Sequence, residues 1–181
     1  MEYLKQGCIS SEFIIKSSNK KNTIITGYAS VFNIKDSHGH IISKGAFENT
    51  IASNVKLLWQ HKAEEPIGII TSLEEDEYGL QVEAEINNNT RAGLEASELI
   101  KQRAVCGLSV GFVPKSSNYN KVGVRVIGKA KLMEISIVTF PANRHAEIQQ
   151  IENSEDAPYK QNSYNEKIGK LSKLVKQIEK Y

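Results

Sequence analysis

Polar turns recur at short intervals along most of this chain, and between them lie brief runs of β-branched and aromatic residues, without a repeated strand-then-helix alternation. That rhythm limits the fold more than any other feature. Runs over 9–16 and 23–32 flank the polar stretch 17–22 and read as a hairpin. Those over 67–73 and 80–86 flank an acidic turn and read as a second hairpin. Residues 55–61 alternate so that Val55, Leu57, Trp59 and His61 share one face, with Pro66 limiting pairing beyond them. Further strands are predicted over 103–113, 122–127 and 131–140, the last stopped by Pro141. A short helix is predicted over 46–52 and a longer one over 91–103, with Leu94, Leu99 and Ile100 on its apolar stripe. Many short strands with one or two helices predict a mainly β fold with peripheral helices, an antiparallel barrel or sandwich rather than a parallel α/β sheet.

At 181 residues the chain has room for one domain and an appendage, but not for two full domains. Residues 1–150 form the predicted domain, and 151–164 turn polar and read as a linker. Over 165–181, Ile168, Leu171, Val175 and Ile178 recur at helical spacing among five lysines, predicting an amphipathic basic helical tail. Two heptads are too few for a coiled coil, so the tail reads as a docking helix, a self-association element or a solvated helix lying on its own domain. The balance of 23 basic against 21 acidic residues gives +2 and makes no general case for binding nucleic acid or a membrane surface. No apolar run reaches membrane-spanning length, and the first residues lack a signal-peptide pattern. Cys8 and Cys106 suggest neither a disulfide framework nor a zinc cluster, which predicts an intracellular, reduced protein.

The chemistry centres on Gly107-Leu108-Ser109-Val110-Gly111-Phe112. As a strand this places Cys106, Leu108, Val110 and Phe112 on one face and Gly107, Ser109 and Gly111 on the other. A hydroxyl between two glycines can be approached closely by another backbone, as a serine nucleophile acting on a peptide requires; a tight packing site would look the same. A nucleophile needs a base and an orienting group. His61, ending an otherwise apolar strand face, is one candidate, and it also reads as a histidine at the core edge. Glu134 interrupts the apolar run 131–140; it reads as a structural salt bridge to Arg103 or Lys131, or as the group that orients His61. The order Ser109, Glu134, His145 also matches the α/β-hydrolase nucleophile elbow. That match fails because Ser109 lies mid-strand instead of on a strand-to-helix turn. Asp36, His38 and His40 have metal-ligand spacing if extended, but Gly39 and its polar neighbours favour a turn, so no metal and no cofactor is predicted. Cys106 points by parity into the core and is not read as a nucleophile.

Five blocks in order carry a resemblance: Gly27-Tyr28-Ala29-Ser30-Val31-Phe32, Lys44-Gly45-Ala46-Phe47, Leu58-Trp59-Gln60-His61, the Ser109 strand, and Glu134-Ile135-Ser136 through Pro141-Ala142-Asn143. Together they resemble the prohead (capsid maturation) protease family of tailed bacteriophages over about residues 8–150, a family similar to herpesvirus assemblin. The resemblance implies a closed antiparallel β-barrel with peripheral helices. It also implies a serine endopeptidase that trims the major capsid or scaffold protein inside the immature shell in the host cytoplasm, self-cleavage included as an option. Carried over by position, Ser109 matches the nucleophile, His61 the base and Glu134 the third member, where assemblin has a second histidine. His40 departs from the family, which often has an acidic residue after the glycine. A non-catalytic capsid assembly or scaffolding factor and a barrel-type small-molecule binder are the alternatives.

Overall fold

The computed structural model describes residues 22–153. The predicted first strand, most of the linker and the helical tail over 165–181 lie outside the described residues. Eight strands form one sheet: β1 (Thr23–Val31), β2 (His40–Ile42), β3 (Lys56–Trp59), β4 (Lys62–Glu75), β5 (Gly79–Ile86), β6 (Gly107–Tyr119), β7 (Arg125–Val138) and β8 (Ile148–Asn153). One helix, α1 (Arg91–Lys101), joins β5 to β6. The order is β2-β7-β3-β4-β5-β1-β8, with β6 pairing β7 from the side.

β7 organises the sheet. One of its edges pairs β6 nearly end to end, while the other pairs β2 through Arg125, Val126 and Ile127 and β3 through Glu134 to Ile137. The strands predicted over 122–127 and 131–140 are therefore halves of one long strand, which Gly128 does not break. Inward residues Ile25, Leu57, Ile67, Leu80, Ile86, Leu108, Ile127, Ile135, Ile137 and Ile148 are fully buried and form a continuous core.

The sheet is not a closed antiparallel barrel. β2 and β3 both run parallel to β7, so the sheet is mixed. Its path is open, and β6 meets the segment leading into β8 only through the isolated bridge Gly107↔Glu147, flanked by Leu108 N–H to Ala146 O at 2.9 Å and Ile148 N–H to Cys106 O at 2.8 Å. The turn in which Ala146 N–H bonds Asn143 O carries the chain away before a ladder can form. Past Leu108, side chains of β6 line a groove instead of pairing onward.

Local elements depart from expectation for identifiable reasons. Thr90 caps α1, accepting from Gly93 N–H at 3.1 Å. The buried stripe of α1 is Gly93, Ala96, Ser97 and Ile100, and Leu94 faces outward, because Gly93 lets the helix sit against the Asn87 carbonyl. The predicted helix over 46–52 is mostly turns, with the 3-10 turn Ala52–Asn54 starting at its last residue. Glu75 draws this segment in by accepting from Gly45 N–H and Phe47 N–H, each at 2.8 Å. β8 has no clear alternation in sequence; it forms because its backbone completes the free edge of β1.

Candidate active site

Ser109, His61 and Glu134 come from three elements that β7 brings together. Ser109 lies on β6 directly opposite Ser136 of β7, and Gly111 lies opposite Glu134. Residues two apart share a face, so Ser109, Gly111, Glu134 and Ser136 form one patch across the two strands. β3 runs beside β7 on its other edge, with Leu58 level with Ser136, and delivers His61 just past its end.

The alternation that would align His61 with Val55, Leu57 and Trp59 stops at Trp59. Gln60 and His61 both have positive φ, 53° and 60°, and make the tight β3–β4 turn. Turned out of the strand, His61 sets its Nδ1 2.7 Å from Glu134 Oε1. Glu134 Oε2 accepts the Ser136 hydroxyl at 2.7 Å, and Ser136 Oγ accepts the His61 main-chain N–H at 3.1 Å. Glu134 thus finds its partners in His61 and Ser136. The carboxylate is mostly enclosed at 14% side-chain exposure, whereas the imidazole is 46% exposed. An N–H facing an ionised carboxylate must donate, which leaves the other ring nitrogen as the acceptor.

His61 and Ser109 line the same groove of about 380 Å³, together with Val110, Phe112 and Asn143. Ser109 is 5% exposed. Among the described residues no hydrogen bond joins the His61 ring to Ser109 Oγ, an arrangement common in resting sites whose catalytic contacts tighten with substrate. The bare face expected beside Ser109 is occupied from within: a Cβ at Gly107 would strike Pro141 and the Val138 carbonyl, and one at Gly111 would strike the Glu134 carboxylate.

Asp36, His38 and His40 also line the groove. Asp36 Oδ1 accepts from His38 N–H at 3.0 Å and His40 N–H at 2.7 Å, and Gly39 has φ 80°, so the segment is a turn stitched by the aspartate. His145, the base in the rejected elbow reading, is exposed, and its N–H is held by Asn143 Oδ1 at 3.2 Å.

Residues 11–161 match the family described as caudovirus prohead serine protease. The chain belongs to that family. A prohead protease of Enterobacteria phage HK97 is 40% identical over 134 residues, covering 71% of this chain and 60% of that one. A prohead protease of Escherichia phage T5 is 28% identical over 137 residues, covering 72% and 64% respectively. The chain therefore spans about three fifths of the length of these prohead proteases. A solved KSHV protease, crystallised with a hexapeptide phosphonate inhibitor, superposes with TM-score 0.51 at 13% identity over 71% of this chain and 64% of that one, a likeness of fold.

Sequence reasoning missed one residue of the candidate site. Ser136 was hidden as one small hydroxyl in an apolar run, although its spacing of two from Glu134 placed both on one face. Asn143 is buried, and its Nδ2 donates to Val31 O at 2.7 Å, fixing the loop after β7 at the groove wall. The sequence pointed to it through its place in Pro141-Ala142-Asn143 and in the loop Ala142-Asn143-Arg144, the expected location of main-chain oxyanion donors.

Proposed function

We propose that this chain is a serine endopeptidase that processes the capsid or scaffold protein inside the immature head of a tailed phage, in the host cytoplasm. The observation that carries the reading is the 2.7 Å contact of Glu134 Oε1 with Nδ1 of His61, a residue that lines the same groove as Ser109. In this mechanism His61 takes the Ser109 proton as Oγ attacks the scissile peptide carbonyl, and Glu134 orients and stabilises the imidazolium. The imidazolium then protonates the leaving amine. Water, deprotonated by the same ring, hydrolyses the acyl-enzyme and frees Ser109. Main-chain N–H groups of the loop Ala142-Asn143-Arg144 are the proposed oxyanion donors, supported by the place of Ala142 and Asn143 in the groove wall. Family membership and the prohead proteases it resembles support the substrate class.

The test is co-expression of the chain with the capsid and scaffold proteins of its own phage. The wild type should shorten one of them, and Ser109→Ala should leave all of them at full length. Processing by Ser109→Ala at the wild-type rate would remove the nucleophile assignment. Intact capsid and scaffold proteins beside the wild type would favour a non-catalytic assembly factor.

A further inference from the structure

Ser136 is fully buried in β7, on the strand face opposite that of its core neighbours Ile135 and Ile137. A hydroxyl has one proton to give and lone pairs with which to accept. Its neighbours dictate how each is used. An ionised Glu134 carboxylate can only accept, so the Ser136 proton points to Oε2 at 2.7 Å; the His61 main-chain N–H can only donate, so it falls on the Ser136 lone pair at 3.1 Å. With His61 Nδ1 on Glu134 Oε1 at 2.7 Å, the bonds close a ring: histidine main chain, serine hydroxyl, carboxylate, histidine side chain.

The turn that bears His61 needs holding. Gln60 and His61 are both left-handed, a conformation that non-glycine residues keep only where surroundings over-determine it. Gln60 is fastened at a distance from the carboxylate: its N–H bonds Ile137 O at 3.0 Å, its Nε2 bonds Thr139 Oγ1 at 2.9 Å, and its Oε1 accepts from Thr139 N–H at 3.2 Å. Those bonds fix the turn to the end of β7. The Ser136 hydroxyl fixes the turn to Glu134.

We propose that Ser136 is a positioning residue: its hydroxyl aims the Glu134 carboxylate and sets the seat of His61, so that the second ring nitrogen is presented to the groove lined by Ser109. The inference rests on the catalytic reading of Ser109, His61 and Glu134. It assigns the accuracy of that group to a side chain whose hydrogen bonds go to Glu134 and to the His61 main chain.

The experiment measures the rate at which a fluorophosphonate labels Ser109, read by mass spectrometry. In this reaction the serine oxygen bonds phosphorus, fluoride leaves and the proton passes to the base. Four forms of the full chain are compared: wild type, Ser136→Ala, Glu134→Ala and the double variant. Alanine removes only the hydroxyl from a strand residue, and a thermal melt confirms that each form is folded. Ser136→Ala should label about tenfold to hundredfold more slowly, the worth of one hydrogen bond to a charged group. In the Glu134→Ala background, Ser136→Ala should slow labelling much less than it does in the wild type, because the aiming of that carboxylate is already lost and only the bond from the His61 main-chain N–H remains to be removed. Wild-type labelling by Ser136→Ala, or an undiminished slowing in the Glu134→Ala background, overturns the proposal. The imidazole Nδ1–H proton resonance of His61 gives a readout independent of Ser109 and should move in Ser136→Ala. If the wild type fails to label at Ser109, the catalytic reading falls, and an unmoved His61 resonance would then overturn the positioning role separately.

Discussion

Position 111 must be glycine because the volume a side chain would take there holds the carboxylate of Glu134. Ser109, Gly111, Glu134 and Ser136 share one face of two paired strands, and in such a patch each side chain is packed against the one opposite. Gly111→Ala should therefore push Glu134 off His61 while sparing the core, which lies on the other face. We expect fluorophosphonate labelling of Ser109 to slow by roughly tenfold or more, the scale of one charged hydrogen bond, with the melting temperature within a few degrees of wild type. Unchanged labelling would mean that the carboxylate has room to stay in place. The glycine-serine-glycine pattern was plain in sequence, but its purpose was not. It suggested open space for an approaching peptide, whereas the space beside Gly107 and Gly111 is taken by Pro141 and Glu134 of the chain itself. Periodicity assigns a face to each residue and is blind to what stands opposite.

Among the elements, the β4–β5 hairpin shows how a local turn is tied to a distant strand. Asp76 Oδ1 accepts from Tyr78 N–H at 2.7 Å and Gly79 N–H at 2.8 Å, while Oδ2 accepts the Tyr28 hydroxyl of β1 at 2.5 Å. The Tyr28 and Tyr78 rings meet edge to face at 4.8 Å. Donation to Asp76, then burial and the nearby charge, push the Tyr28 phenol from its ordinary 10.0 up to about 12. The same hydroxyl, helped by main-chain N–H groups and against partial burial, holds the Asp76 carboxyl below its ordinary 3.8. A raised phenol stabilises the fold below its ordinary pKa and loses that contribution as pH rises toward the folded value. A lowered carboxyl does so above its ordinary pKa and loses it as pH falls. Urea unfolding of wild type and Tyr28→Phe should thus differ by a constant amount near neutrality, with the gap narrowing above pH 10.0 and below pH 3.8. A gap that does not change with pH would assign the effect to packing alone. The hairpin and its acidic turn were legible from two apolar runs around Asp76-Glu77-Tyr78-Gly79. The reach of Asp76 to Tyr28, 48 positions away, was not.

At the scale of the molecule, the seam decides where chemistry can occur. β1 and the approach to β8 pack so closely that a Cβ at Gly27 would overlap the Glu147 carbonyl, while Tyr28 N–H bonds the same oxygen at 3.1 Å. Among the described residues, β6 has no partner on its second edge beyond this junction, and the groove that Ser109 lines lies there. Gly27→Ala should strain the seam and lower unfolding stability by about 1–3 kcal/mol, read from the urea midpoint, because the obstacle is backbone and cannot rotate away. An unchanged midpoint would show the seam to be yielding. By itself the sequence determined the strand-rich class and the main helix, and it singled out Ser109, His61 and Glu134 as candidate site residues, because alternation, turn chemistry and ordered motifs are local properties of the chain. Only the tertiary structure decided that the sheet stays open, that two strands run parallel to β7, that His61 leaves its strand through a left-handed turn, and that Ser136 closes the ring around Glu134. Those outcomes depend on which backbone edges meet and how little volume separates them, and neither quantity is written in the spacing of residues along one strand.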